Sequence, residues 1–225
     1  MDAILDQLDA RGKGLQSFTA DVALAESDTT TGDTSTRSGK VAYQLKPNGD
    51  GRIRVTFDTR DAGGGRAVKE TLVYMLDDGR LVDRNYRKKS QTTRQVLRPG
   101  EKINLLKLGE GPFPLPIGQP KEEVHKLFDV KKVEPAKDDP PGTAHLQLLP
   151  KPDTRFARQF TSIDVWVDSE SHMPRRIDTM DAAQTTLRTT ELNNVHVNPK
   201  VSDADFKLEP IDPKSWNIVE EEFRD

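Results

Sequence analysis

The 225-residue chain carries 34 Lys and Arg against 37 Asp and Glu, a formal charge of -3 with both signs interspersed, which marks neither a nucleic acid nor an anionic membrane as its partner. Cysteine is absent, so thiol catalysis, disulfides and thiolate metal sites are excluded. Hydrophobic residues make up 33% and charged ones 32%, with a mean hydropathy of -0.73, yet strand-like alternation runs through most of the chain, so a thin core under long polar hairpins is expected, not disorder.

No window approaches the roughly 18 apolar residues of a spanning helix, and the N-terminus lacks the basic and apolar blocks of a signal peptide. Because "MDAILDQLDARGKGLQSF" opens almost inside its first helix, an export segment upstream of residue 1 is expected. Within residues 2 to 12, Ile4, Leu5 and Leu8 share a helical face that Leu15 continues, and Gly12 and Gly14 mark its end. From Phe18 the period becomes two, with Phe18, Ala20, Val22 and Leu24 on one side of a strand. After the polar turn region "DTTTGDTSTRSG", Val41, Tyr43 and Leu45 alternate with polar residues. "KPNGDG" then turns the chain into Ile53, Val55 and Phe57. "KETLVYMLDDGRLVDRNYRKKSQTTRQVL" predicts three more strands, with turns near Asp78-Gly79 and Lys88 to Ser90.

Between Pro99 and Val130 this alternation stops. "GEKINLLKL" and "GQPKEEVHKLF" predict short amphipathic helices, the second with proline in its first turn. They are joined by "GEGPFPLPIG", where Phe113, Leu115 and Ile117 alternate with prolines that bar both a regular helix and a central strand. Strands resume at "FDVKKVEP" and "TAHLQLLP", and residues 160 to 198 predict three antiparallel strands with turns at Ser169 to His172 and Asp181 to Ala183. Six strands, a helical interruption and about five more strands predict a mainly β (α+β) single domain over 1–225, a curved antiparallel sheet whose concave face the helices cover. No internal repeat breaks it. The extension over 211–225, with Trp216, Ile218, Val219 and Phe223, is expected either to add an element to the sheet or to dock on a partner.

Chemistry-bearing patterns are weak. Glu122 and His125 have an i, i+3 spacing without a second such pair, HExxH is absent, and no metal is expected. The glycines at 63 to 65 lack the downstream residues of a phosphate loop, and no G-x-S-x-G elbow presents a serine. Carboxylates such as Asp164 and Asp168 sit at strand edges and turns, where solvated acids are ordinary. No catalytic residue and no cofactor are assigned, and the chain is read as a non-enzyme. The remaining signal is apolar: Phe18, Tyr43, Phe57, Leu72, Tyr74, Phe128, Trp166 and Met180 are large groups on strands whose other faces are mostly polar. They form either a filled core under the helices or the wall of a ligand cavity.

The order of these pieces resembles a known family. The leading helix running into "LQSFTADVAL", then "SGKVAYQLKP" with "GRIRVTF", then "YMLDDGRLVDRNYRKK", the late hairpins "IDVWVDSESHMPRRIDTMDAAQTTLRTTEL" and the closing "SDADFKLEP" are similar to the successive signatures of periplasmic outer-membrane lipoprotein carriers of the LolA/LolB type. The likeness spans residues 2 to 210. It implies an incomplete antiparallel β-barrel of about 11 strands with a helical lid, enclosing an apolar cavity for lipoprotein acyl chains. By the same resemblance the leading helix and the segment from Gly100 to Leu127 cover the cavity, with Leu105, Leu108, Phe113, Leu115 and Ile117 as lid residues at its mouth. Arg54 matches the family's lid-contacting arginine. The implied function is periplasmic or envelope binding and transport of lipid or lipoprotein acyl chains, with a membrane-bound donor or acceptor protein as partner. The alternative is a sensor domain of an envelope signalling system that binds a lipidated or protein ligand with the same fold.

Overall fold

The computed structural model describes residues 1–98, 101, 105–106 and 117–223. Helix α1 covers Asp2–Lys13, with Asp2 in its first turn and Arg11 and Lys13 in its last, each sign placed where it favours the helix dipole. Leu5 and Leu8 are its buried residues, as their spacing requires. Gly12 lies inside the helix and does not end it; the cap is Gly14, whose N–H donates to the carbonyls of Ala10 and Arg11.

Six strands follow: β1 (Ser17–Asp28), β2 (Thr34–Leu45), β3 (Gly51–Asp61), β4 (Val68–Asp77), β5 (Arg80–Asn85) and β6 (Ser90–Gln95). The β4–β5 connection is the two-residue turn expected at Asp78-Gly79; both residues have positive φ, 49° and 71°, as a hairpin matching the strand twist demands. Helix α2 (Lys121–Leu127) is preceded by Pro120 and is shorter than its sequence pattern suggested. Of the other expected helix, 100–108, the described residues Leu105 and Leu106 form a turn, and the remainder lies outside the described residues except Glu101. The second run of strands is β7 (Phe128–Val133), β8 (Thr143–Pro150), β9 (Phe160–Asp168), β10 (Pro174–Asp181) and β11 (Thr186–Val197).

All the described strands belong to one sheet, but not as one sequential meander. With β12 (Asn217–Glu221) at one end, the order is β12-β6-β5-β4-β3-β2-β1-β11-β10-β9-β8-β7, so two antiparallel meanders meet where β1 pairs with β11. The end strands do not pair with each other, and the curved sheet stays open. The strand count is 12 among the described residues, one more than expected, because the C-terminal extension supplies β12 (Asn217–Glu221), which pairs in parallel with β6. No helix among the described residues is long and apolar enough to cross a membrane.

The two faces of the sheet are covered differently. Inward-pointing residues of both meanders, including Phe18, Val41, Ile53, Phe57, Leu72, Leu146, Ile163, Val165 and Ile177, form one core with Leu5 and Leu8 of α1, Val124 of α2, Leu105 and Ile117. The concave face is therefore the core side and the helices cover it. On the convex face a strap leads from Asn198 through a 3-10 turn at Asp203–Phe206 to β12. Arg52 stacks over the Phe206 ring at 4.2 Å and donates to Asp203 at 2.5 Å. Arg84 donates to the Glu209 carbonyl at 2.6 Å, and Tyr86 meets Trp216 edge-on at 5.3 Å.

Candidate functional site

The concave face has a filled half and an open half. In the filled half Phe18 stacks on Tyr43 with ring centroids 5.6 Å apart, and Phe128 packs on Phe156 at 4.9 Å. Burial there pushes the Tyr43 phenol up to about 12, because a phenolate would lose its hydration. The cover over this half is assembled from separate short pieces. Gly118 donates its N–H to the Leu8 carbonyl at 3.1 Å, Ile117 to the Leu106 carbonyl at 3.1 Å, and Lys121 bonds Asp6 at 2.8 Å. Arg11 Nε reaches the Ser171 carbonyl at 2.7 Å and ties α1 to the rim of the second meander.

The open half holds a cavity of about 390 Å³ between the two meanders. Its apolar wall is Leu24, Phe57, Tyr74, Leu81 and Phe160, and Glu26, Arg37, Arg188, Thr179 and Thr190 complete the lining. Phe57 and Tyr74 meet edge-on at 6.4 Å. Arg188 donates to Glu26 Oε1 from Nε at 3.2 Å and from its terminal nitrogen at 3.1 Å, while Arg37 stands 3.9 Å from Glu26 Oε2. Beside Tyr74, its cross-strand neighbour Asp83 has its carboxyl pushed up by burial, against the opposing pull of Arg94 and Lys88. A larger groove of about 650 Å³ lies on the convex face, but its lining includes Asp21, Lys40, Asp58 and Asn194, and Lys40 and Asn194 already bond Asp21 at 2.8 and 2.7 Å. A mostly apolar concavity with a few polar groups is the better ligand site.

The expected site residues divide accordingly. Phe18, Tyr43, Leu72, Leu105, Ile117 and Phe128 are buried in the filled core. Phe57 and Tyr74 reach the cavity. Leu108, Phe113 and Leu115 lie outside the described residues. Trp166 and Met180 stand on the opposite side of the sheet from that core. Along β9 and β10 the inward places go to Ile163, Val165 and Ile177, whose cross-strand pairing fixes the alternation. Trp166 instead fills a polar convex stack, 4.1 Å from the His145 ring and 4.6 Å from the Arg176 guanidinium, and donates its indole N–H to Asp139 at 2.7 Å. Met180 shares that face with Asp178. Arg54 is also convex: it donates to the carbonyls of Asp205 and Lys207 at 3.2 and 3.0 Å and to the Thr56 hydroxyl at 3.1 Å, so its described partners lie in the strap and in its own strand and not in the cover.

Leu24, Leu81 and Phe160 were not among the expected site residues, nor were Glu26, Arg37 and Arg188. The inward stripe of β1, read one step further than Leu24, points Glu26 into the cavity, and a charged residue at an inward position was the available signal. Among the described residues no cluster of three or more His, Asp and Glu could hold a metal.

An open curved sheet with helices over its concave side defines a half-barrel with a helical cover, the architecture that the resemblance to the LolA-type carriers implies. No family model matches the chain, and no curated protein matches it in sequence. Among solved structures it is similar to a conserved uncharacterized protein from Thermus thermophilus, at 12% identity over 97% of each chain and a TM-score of 0.54. It is also similar to the MucA/MucB complex structure from Pseudomonas aeruginosa (12% identity, 92% of this chain and 60% of that one, TM-score 0.48) and to a LolA superfamily protein from Nitrosomonas europaea (11% identity, 92% and 96%, TM-score 0.40). At such identity the Thermus likeness is one of fold alone, and the other two, with TM-scores below 0.5, add no weight.

Proposed function

We propose that the chain is a non-catalytic binding protein of the cell envelope that carries the acyl chains of a lipid or lipoprotein between its half-barrel and its helical cover, exchanging them with a membrane-bound donor or acceptor protein. The observation that carries this reading is the apolar cavity of about 390 Å³ walled by Leu24, Phe57, Tyr74, Leu81 and Phe160, continuous with a core whose cover is built of short pieces. Ten methylenes moved out of water gain roughly 8 kcal/mol, against an association cost that starts at about 4 kcal/mol. Apolar surface alone therefore holds an acyl chain, and no reactive group is required. The pieces of cover that meet at Leu8 and Gly118 are joined there by one backbone hydrogen bond, which would have to part for the filled half to admit a longer chain.

The test is native mass spectrometry of protein purified from a bacterial membrane extract, followed by organic extraction and lipid identification. A stoichiometric acyl species is expected, and Leu81→Asp, which places a charge on the half-buried wall, should abolish it. Protein that acquires no lipid even when offered a lipidated peptide would sink the reading. A second reading, a sensor module for a protein ligand, is favoured by the outer edge of β12, which no described strand pairs and beside which Ile218 and Val219 are exposed. Removing residues 217 to 223 separates the two: acyl binding survives in a carrier, whereas crosslinked capture of an envelope protein is lost in a sensor.

A further inference from the structure

We propose that the cavity is specific for amphiphiles that carry an anionic group, phosphate or carboxylate, and that Arg37 and Arg60 hold that group while the apolar part lies against Leu24, Phe57 and Tyr74; this rests on the acyl-binding reading above. Arg37 and Arg60 are direct cross-strand partners on β2 and β3; Arg37 lines the cavity, Arg60 lines the adjoining groove, and Glu26 lines both. Like charges placed directly opposite on neighbouring strands oppose each other. The Nε atoms of both are buried and have no hydrogen-bond partner among the described residues. A buried donor left without an acceptor costs free energy that a bound anion would recover.

The local charges supply that anion only in part. Among the described residues Glu26 is the one carboxylate in the cavity lining, and both hydrogen bonds it accepts come from Arg188, leaving Arg37 at 3.9 Å. Asp28 and Asp33 line the neighbouring groove with Arg60, but Asp28 accepts from the backbone N–H groups of Thr30 and Thr31, and Asp33 from the Thr31 hydroxyl. The open end thus presents Arg37 and Arg188 around one shared carboxylate, with Arg60 in the adjoining groove, at the point where the apolar wall begins. An acyl chain entering from this end would leave its polar terminus beside the arginines.

The experiment is displacement of bound N-phenyl-1-naphthylamine from the full chain by decyl phosphate, by decanol and by inorganic phosphate. Decyl phosphate is expected to bind about ten- to a hundred-fold tighter than decanol, the range for charge-assisted hydrogen bonds. Arg37→Gln with Arg60→Gln should remove most of that preference, lowering decyl phosphate affinity at least about ten-fold more than decanol affinity, with the circular dichroism spectrum of the wild type retained. Glu26→Gln should raise decyl phosphate affinity several-fold, a gain that misfolding cannot produce. Equal affinity of the wild type for the two decyl ligands, or a preference that survives the arginine changes, overturns the proposal while leaving acyl binding standing. Inorganic phosphate competing as well as decyl phosphate would make this a free-anion site and also overturn it. If neither decyl ligand displaces the probe, the acyl-binding reading itself fails.

Discussion

Gly12→Ala sets two effects of opposite sign against each other at the junction of helix and cover. In an unencumbered helix the change is stabilising by up to about 1 kcal/mol. Here a Cβ on Gly12 would stand 2.1 Å from Gly118 Cα and 2.3 Å from Gly118 N, both backbone atoms that no side-chain rotation can move aside. Gly118 itself sits at φ +72°, a left-handed conformation open to it because it has no Cβ. Restoring an ordinary carbon contact of about 3.5 Å requires α1 and the segment at Ile117–Gly118 to part by roughly 1.4 Å. Such overpacking costs about 1–3 kcal/mol, and the Gly118–Leu8 hydrogen bond, 3.1 Å long, is worth about 1 more. Net destabilisation of roughly 1–3 kcal/mol is expected, a fall in Tm of about 2–4 °C for each kcal/mol at this chain length. Calorimetry reads the sign, and amide exchange at Gly118 should accelerate beyond the global effect. A Gly12→Ala variant as stable as the wild type or more so, with Gly118 protection unchanged, would refute the close approach and leave Gly12 an ordinary helix residue.

Tyr43, raised by burial to about 12, should resist ionisation well above pH 10. Its folded value lies above the unfolded value of 10.0, so its contribution is intact below pH 10 and is lost as pH rises from there to about 12, on the order of 3 kcal/mol in all; Tyr43→Phe should remove that alkaline dependence from urea unfolding curves. At the acid end, backbone N–H groups of Thr31 and Thr30 hold the Asp28 carboxyl below its usual range, and that of Thr186, against a smaller opposing effect of burial and with help from Thr185, does the same for Asp181. Both turns should therefore contribute fully above about pH 4 and lose that contribution as pH falls through the lowered values, a dependence that Asp28→Asn with Asp181→Asn should flatten in acid titrations followed by circular dichroism. Arg84→Met removes the donor to Glu209 and should destabilise by about 1–3 kcal/mol. Trypsin should then cut after Lys207 and Lys214 sooner than in the wild type, and an unchanged cleavage rate would mean the strap is held by its other contacts, at Arg52, Arg54, Tyr86 and β12.

Local alternation was legible wherever one face of a strand is apolar, which is why Phe18, Val22, Ile53, Val55 and Phe57 were placed on the core side from sequence. The meeting of β1 with β11 was not, because that pairing joins residues such as Val22 and Leu192 that no local period connects. The strap was hidden for a different reason. Arg52 and Arg84 occupy polar-face positions that look solvated in sequence, yet they are buried because Phe206 and the Glu209 carbonyl come back over them from far along the chain. Trp166 misled because its size argued for the core, whereas its indole N–H and two flanking cationic or aromatic groups satisfy it on the convex side.

The candidate site lies where the alternation keeps its period but changes its chemistry. Along β1 the inward positions run Phe18, Ala20, Val22, Leu24 and then Glu26; along β2 they run from Tyr43 and Val41 out to Arg37; on β3 a register shift beyond Phe57 brings Arg60 opposite Arg37. A filled barrel would have continued the apolar series or stopped the strands. Strands that continue for several residues with charges pointing inward must end in a wet or liganded mouth, because an isolated charge is not buried for packing. The same strands thus supply a core at one end and an amphiphile-shaped surface at the other, and the boundary between them, at Leu24, Phe57 and Tyr74, is where a bound acyl chain would meet its polar terminus.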